Sequence, residues 1–485
     1  MRRAVTSRRS LVRCPPALLL LCLFGAALVV SCDGARRTPA PPPRSVLLFL
    51  FDAAAAGHFT PYGYFRDTTP NLQRLAVRGH VFRSHFSVAA YTLSSTASLL
   101  TARYPPSHGV IRFGDRLAEA HRTLPEVLRE AGLRTGGFVS NPFLDPDYGF
   151  SQGFDVYVNY QDYVSPGKGE YGNDYGPMLR DLRAFLGQQP ERPFFLLVHV
   201  LLPHNPYAPP QRFRDLFADP AYRGSFEAST LQLLELDAGK LALGTGDRER
   251  LVDLYDANLR YGDEVLGEVL GILDAAGKTR DTHVIVTADH GEAFGEHGRF
   301  LHNTTVYDEM IHVPLVLTPA GTLADAPDLS AVGDTVDILP TVLDLLAMPP
   351  LPGAQGRSVL QPSAAERKPF VLSYSMELAS TALRSSRFKY IRNRGGEAEY
   401  YSLVPDPGES RNVLREDPAR YDQAARLQAH EERLASIGGV SAPERREPQS
   451  EEVERLRSLG YLGGPSGADA KVPPPDQTRT PVPRD

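Results

Sequence analysis

The 485-residue sequence predicts an α/β fold, a mainly parallel mixed sheet sandwiched by helices, followed by a smaller α+β subdomain. Three observations point there. First, Ser45–Phe51 (SVLLFLF) is an unbroken apolar run, the pattern of a strand buried on both faces. Second, similar runs recur at Phe194–Leu202 and Thr282–Thr287, separated by stretches with helical spacing. That alternation is the signature of βαβ units and a parallel sheet. Third, the texture changes from about Leu351. Phe388–Arg392 and Glu399–Leu403, joined across Arg394-Gly395-Gly396, predict an antiparallel hairpin.

The elements follow in order. Arg2, Arg3, Arg8, Arg9 and Arg13 precede an apolar run from Ala17 to Val30. Its length suits a signal peptide and falls short of the roughly 20 residues that span a bilayer. The run ends in Val29-Val30-Ser31-Cys32, which resembles a bacterial lipobox, with Cys32 as the lipidated first mature residue. Ser7–Arg13 also resembles a twin-arginine export signal. These features predict a signal peptide over 1–31 and a lipidated Cys32 with a Pro-rich tether over 32–44. They also predict a lipoprotein of the bacterial cell envelope, held to the membrane by its lipid and facing the periplasm or exterior. The main body spans 45–350, the smaller subdomain 351–463, and a Pro-rich disordered tail 464–485.

Within the body, Thr123-Leu-Pro-Glu126 has capping-box spacing ahead of Val127 and Leu128, and Gly132 closes that helix. Gly137–Ser140 predicts a strand. From Leu251, the positions Tyr255, Leu259, Leu266, Leu270 and Leu273 keep helical spacing as far as Gly277. Val313–Thr318 predicts another strand. Asp52 ends the first strand and Asp289-His290 follows the Thr282–Thr287 strand, so all three sit where α/β folds gather their sites.

Charge and cysteine content narrow the chemistry. The first 31 residues hold five arginines and no acids, so the remainder carries 47 basic against 58 acidic side chains. A net charge of −11 excludes nucleic acid as a bulk electrostatic partner. All three cysteines lie at 14, 22 and 32, which excludes a thiolate nucleophile or zinc–sulfur site in the body.

A series of motifs runs through residues 45–463. After Asp52 come Thr69-Pro70-Asn71-Leu72, Ala97-Ser98-Leu99-Leu100-Thr101, Tyr104-Pro105 and His108-Gly109-Val110. They continue with Phe138-Val139-Ser140-Asn141, Pro203-His204 with Pro206-Tyr207, and Thr287-Ala288-Asp289-His290-Gly291-Glu292. Gly295-Glu296-His297-Gly298 and Tyr307-Asp308-Glu309 close the series. In this order the chain resembles the sulfatase branch of the alkaline phosphatase superfamily. The resemblance implies an alkaline phosphatase-like fold, with the catalytic domain over 45–350. It also implies one divalent metal ion on Asp52, Asp289 and His290. Carboxylate and imidazole ligands favour Zn²⁺ or Mn²⁺, while Mg²⁺ and Ca²⁺ remain compatible.

The same resemblance puts Thr92 where sulfatases carry the Cys or Ser that becomes formylglycine. The Pro and Arg of that motif are missing here, and Thr92 looks like the nucleophilic threonine of the family's phosphodiesterases and headgroup transferases. Thr92 thereby becomes both nucleophile and fourth metal ligand. His204 and His302 are further catalytic candidates, His302 standing where sulfatases hold an anion-binding lysine. His108, His199 and His297 read as structural or outer-shell, and Asp308 with His312 as an ordinary surface pair on one helix face. A departure follows Asp52, where relatives carry a second ligand and a polar stretch. Here Ala53-Ala54-Ala55-Ala56-Gly57-His58 retains only His58.

The function expected is metal-dependent hydrolysis or transfer of sulfate or phosphate esters, with phosphoester or phosphodiester favoured over arylsulfate. The substrate is a small-molecule, lipid-headgroup or glycan ester. The alternatives are a true sulfuric ester hydrolase working without formylglycine and a catalytically silent binding protein of the same fold.

Overall fold

The computed structural model describes residues 45–164, 174–323, 325–361, 371–376, 379–417, 419–436, 444–446 and 450–461. The expected signal peptide, the expected lipidation site at Cys32, the expected tether and the expected tail over 464–485 lie outside the described residues. Among those described, no helix is long and apolar enough to cross a membrane.

Seven strands form the main sheet: β1 (Ser45–Asp52), β2 (His80–Val81), β3 (Arg134–Val139), β4 (Val156–Asn159), β5 (Phe194–Pro203), β6 (Thr282–Ala288) and β7 (Leu315–Thr318), in the order β2-β7-β6-β1-β5-β3-β4. From β6 to β4 every neighbour is parallel, while β7 and β2 add an antiparallel edge. All residues of β1, β5 and β6 are buried, which explains their largely apolar sequences. Two groups of helices cover the sheet. The long Asp247–Ala275 helix lies against β5 with Pro70–Ala76 and Gly176–Gly187 beside it. The Thr92–Thr101 helix packs with Leu124–Glu130 and Ile338–Leu345. The capping box at Thr123 and Glu126 forms as its spacing predicts.

The smaller sheet is a four-stranded antiparallel meander, with strands Val371–Tyr374, Ser380–Arg384, Phe388–Asn393 and Glu399–Ser402. A buried charge cluster ties it to the body. Lys389, fully enclosed, reaches Asp308 at 2.9 Å and Glu409 at 2.7 Å, and Arg384 grips Asp308 at 2.7 Å. Asp308 is therefore not half of a surface pair with His312. The helix there spans only Asp308–Ile311, and His312 turns to the carbonyl of Arg83. Burial alone would raise Asp308, but Arg384 and Lys389 hold it below the usual carboxylate range, while burial pushes Glu409 up to about 7.

Removing one member of a buried ion cluster strands its partners in low dielectric. Lys389→Ala is expected to destabilise the protein by about 3–5 kcal/mol, read from the midpoint of urea denaturation against wild type.

Candidate active site

The site begins with strand register. β1 and β6 run parallel with Phe51 opposite Ala288, so the next residues, Asp52 and Asp289, emerge side by side. Two backbone bonds lock the exit: Asp289 N donates to Phe51 O (3.1 Å) and Ala54 N to His290 O (2.7 Å). Ala53 takes a left-handed φ of 56° and donates from its N–H to Asp289 Oδ1 at 3.1 Å. A second amide, His290 N, donates to the same oxygen at 2.7 Å. Asp289 Oδ2 accepts no hydrogen bond among the described residues, although it is buried.

His290 is oriented by its backbone. Its Nδ1 lies 2.9 Å from the Gly291 carbonyl, which can only accept, so Nδ1 carries the hydrogen. The Nε2 lone pair then faces Asp52 Oδ1 and Asp289 Oδ2, each at 3.6 Å. A Cβ at Gly291 would come within 2.1 Å of the Glu309 carbonyl, so only glycine fits after the Asp-His pair. Ligand atoms of Asp52, Asp289 and His290 lie within 4.8 Å of one another, all buried.

The electrostatics call for a cation. Burial and the neighbouring charge of Asp52 push Asp289 well above the usual range. Burial opposes ionisation of Asp52 too, yet His204, His199 and His290 around it hold it low. Burial keeps His290 neutral. Two carboxylates, one neutral imidazole and one orphaned buried oxygen suit a divalent ion of intermediate softness.

Thr92 opens the Thr92–Thr101 helix, every residue of which is buried. Tyr91 precedes it in an extended conformation, and no side chain caps the first turn. Its amide groups are thus available to an anion. Thr92 Oγ1 lies 3.2 Å from His290 Nε2 and 3.4 Å from Asp52 Oδ1. The neighbouring serine hydroxyls are engaged elsewhere: Ser94 donates to Val110 O (2.6 Å) and Ser95 to Asp289 O (2.6 Å).

An imidazole wall faces this cluster. The His302 ring lies 4.4 Å from His290 and 4.8 Å from His204 between centroids. His204 Nδ1 bonds the Asn205 carbonyl (2.6 Å) and His302 Nδ1 meets Glu292 Oε1 (3.1 Å). Both Nε2 atoms are buried without a partner among the described residues. His302 sits between two left-handed residues, Leu301 (φ 62°) and Asn303 (φ 82°), the kind of backbone strain that collects at functional sites. Burial lowers His204, lowers His302 to about 4 and raises Glu292 to about 8.

The structure therefore brings Asp52, Thr92, His204, Asp289, His290 and His302 into one buried site. It adds residues to which sequence reasoning assigned no role. Asn141 Nδ2 donates to Asp52 Oδ2 (2.6 Å), Glu292 supports His302, and Tyr461 OH lies 3.4 Å from Thr92 Oγ1. His199, read as outer-shell, approaches Asp52 Oδ2 at 3.4 Å. His58 turns away to Asp256 (2.8 Å), His108 meets Ser98 (2.8 Å) and His297 meets Glu309 (2.8 Å).

Residues 44–348, more than half of the chain, match the family model described as Sulfatase. The chain belongs to the sulfatase family. Members of this family are metal-dependent ester hydrolases; this chain is an ester hydrolase of the family, and its Asp52, Asp289 and His290 form a group that could hold a metal ion. It is 25% identical to an ulvan-active sulfatase of Formosa agariphila, over 73% of this chain and 74% of the relative. The fold resembles a structure solved in complex with its substrate D-glucosamine-2-N,6-O-disulfate (TM-score 0.68, 20% identity, covering 84% of this chain and all of that one). It also resembles a phosphonate monoester hydrolase of Agrobacterium radiobacter (TM-score 0.64, 19% identity, 84% of this chain and all of that one).

Purified sulfatase-family protein is expected to carry about one divalent ion per chain by elemental analysis. Asp289→Ala should abolish that occupancy. Adding metal at roughly 100 times its Kd should stabilise wild type by about 2.7 kcal/mol and leave Asp289→Ala unchanged in a thermal melt.

Proposed function

We propose that this sulfatase-family enzyme cleaves or transfers a phosphate ester, a phosphodiester above all, with Thr92 as the nucleophile. The observation that carries the reading is the setting of Thr92 Oγ1, 3.2 Å from His290 Nε2 and 3.4 Å from Asp52 Oδ1 at an uncapped helix N-terminus. There is no cysteine after residue 32, and Ser94 and Ser95 are bonded elsewhere, which leaves Thr92 as the aliphatic hydroxyl placed for the role among the described residues.

Asp52, Asp289 and His290 would hold the metal, with Thr92 as a further ligand and Zn²⁺ or Mn²⁺ as the favoured ion. When bound, it supplies the positive charge that lowers the pKa of the threonine hydroxyl and offsets charge on the transferred group. The protein does the rest. The first-turn amides of the Thr92–Thr101 helix face the transferred group as donors, while Asn141 Nδ2 holds Asp52 in place. Thr92 Oγ1 forms a bond to phosphorus as the ester P–O bond breaks. The proton lost from Oγ1 passes to a neutral imidazole Nε2 of the wall formed by His204 and His302, and the imidazolium so formed delivers that proton to the leaving oxygen. Water then attacks the same phosphorus. One of its hydrogens stays on the released phosphate and the other restores the Thr92 hydroxyl. An alcohol in place of water makes the same step a transfer.

The preference for phosphorus over sulfur rests on the second step. A formylglycine diol can expel sulfate by elimination, whereas a threonine ester must be opened by displacement, a step natural to phosphoryl groups. The names of the relatives favour a second reading, hydrolysis of a sulfate ester without formylglycine.

Thr92→Ala is expected to lower kcat by roughly 10³-fold or more while leaving metal content and melting temperature near wild type. Activity is measured on p-nitrophenyl phosphate, p-nitrophenyl sulfate and bis(p-nitrophenyl) phosphate, with the diester expected to turn over fastest. Substantial activity in Thr92→Ala would remove the nucleophile assignment, and a clear preference for the sulfate would favour the second reading.

A further inference from the structure

Tyr461 reaches the site from far beyond the residues that match the family model, which end at 348. The way it gets there is written in the local sequence. The Ser450–Ser458 helix is followed by Leu459-Gly460-Tyr461. Gly460 N donates to Arg457 O (2.9 Å) and Tyr461 N to Leu456 O (3.0 Å), with Gly460 at φ 83°. This is the paired-bond cap in which a left-handed glycine reverses the chain and the next residue folds back onto the helix.

The helix is firmly seated. Leu456 and Leu459 are buried in the main core. Asn205 Nδ2, beside His204, donates to Leu459 O (3.0 Å), and Thr230 Oγ1 donates to Ser458 O (2.8 Å). Tyr148 OH donates to Glu452 Oε1 (2.6 Å). The Tyr461 ring packs 4.4 Å from Phe143 and 4.9 Å from His204. Its position is thus over-determined rather than free to swing.

The hydroxyl has one role left open. Asn141 Nδ2 has two hydrogens, one directed at Asp52 Oδ2 (2.6 Å) and the other at Tyr461 OH (2.9 Å). Accepting from Asn141 leaves the phenol hydrogen for the side where Thr92 Oγ1 lies, at 3.4 Å. A phosphorus atom bonded to that Oγ1 brings its own oxygens within reach of the same hydrogen.

We propose that Tyr461 is a catalytic residue of this enzyme, its hydroxyl donating a hydrogen bond to an oxygen of the group transferred to Thr92. The inference rests on the reading of Thr92 as nucleophile. A donor held rigid before the reaction stabilises charge that develops in the transition state, and removing one such donor typically costs about 10²–10³-fold in kcat.

The test uses the full-length, metal-loaded protein with Tyr461→Phe, Tyr461→Ala and Thr92→Ala in parallel. Tyr461→Phe keeps the ring packing, so its melting temperature and metal content should match wild type. Its kcat on the best of the three nitrophenyl probes should fall about 10²-fold with KM changed only a few-fold, a split that loss of packing would not produce. Orthovanadate, which mimics the trigonal transferred group, should inhibit or bind Tyr461→Phe at least about tenfold more weakly. Wild-type kcat and wild-type vanadate affinity in Tyr461→Phe would overturn the proposal. So would a Tyr461→Ala protein faster than wild type, which would make the ring a plug. If Thr92→Ala keeps its activity, the nucleophile reading has failed. If Thr92→Ala is dead and Tyr461→Phe is fully active, only the role of Tyr461 has.

Discussion

Two carboxylates are forced together in the dry interior by the pairing of two parallel strands, and much of the site answers that constraint. With Phe51 opposite Ala288, Asp52 and Asp289 have nowhere to go but adjacent positions at the strand ends. Parallel neighbours lie only about 4.8 Å apart, and both side chains are fully buried. Backbone amides satisfy Asp289 Oδ1, imidazoles surround Asp52, and Oδ2 of Asp289 is left open. A divalent cation completes such an arrangement far better than a proton does, because it relieves both charges together.

The same geometry sets what surrounds Thr92. The cluster draws Thr92 to the N-terminus of a wholly buried helix, where free amides and the carboxylate–imidazole group converge on one hydroxyl. Strain at Ala53 on one side, and at Leu301 and Asn303 on the other, is held in place by surrounding bonds such as Ala53 N to Asp289 and Asn303 N to Ala90 O. Rigid strand ends carry the charged residues, and short strained turns aim the remaining groups. Substitution at Gly291 would disturb this as surely as loss of a ligand, since no side chain fits against the Glu309 carbonyl.

Much of this was legible in the amino-acid sequence, for identifiable reasons. Long buried strands leave long apolar runs, so β1, β5 and β6 could be read directly, with Asp52 ending β1 and Asp289 following β6. The alternating hairpin of the smaller sheet was visible for the same reason. The two-residue strand β2 carries too little periodicity to detect, and only four residues mark β4. Asp308 looked like part of a helix-face pair because spacing alone does not reveal Arg384 and Lys389, which arrive from the smaller sheet. Glu292 and Asn141 were present in recognised motifs, but their partners are set by tertiary packing. Tyr461 lay furthest out of reach. Leu456-Arg457-Ser458-Leu459-Gly460 does announce a helix cap, yet nothing local says that the capped helix docks beside His204.

The claim on which the account turns is that the ester group passes through Thr92 itself. Its most direct test is to quench the metal-loaded protein with acid during turnover of a slow phosphodiester and map the modified peptide by high-resolution mass spectrometry. A phosphoryl-derived adduct is expected on Thr92, in an otherwise unmodified threonine. Active turnover with no adduct at that residue, or with the adduct carried by a histidine or a serine of the same site, would contradict it.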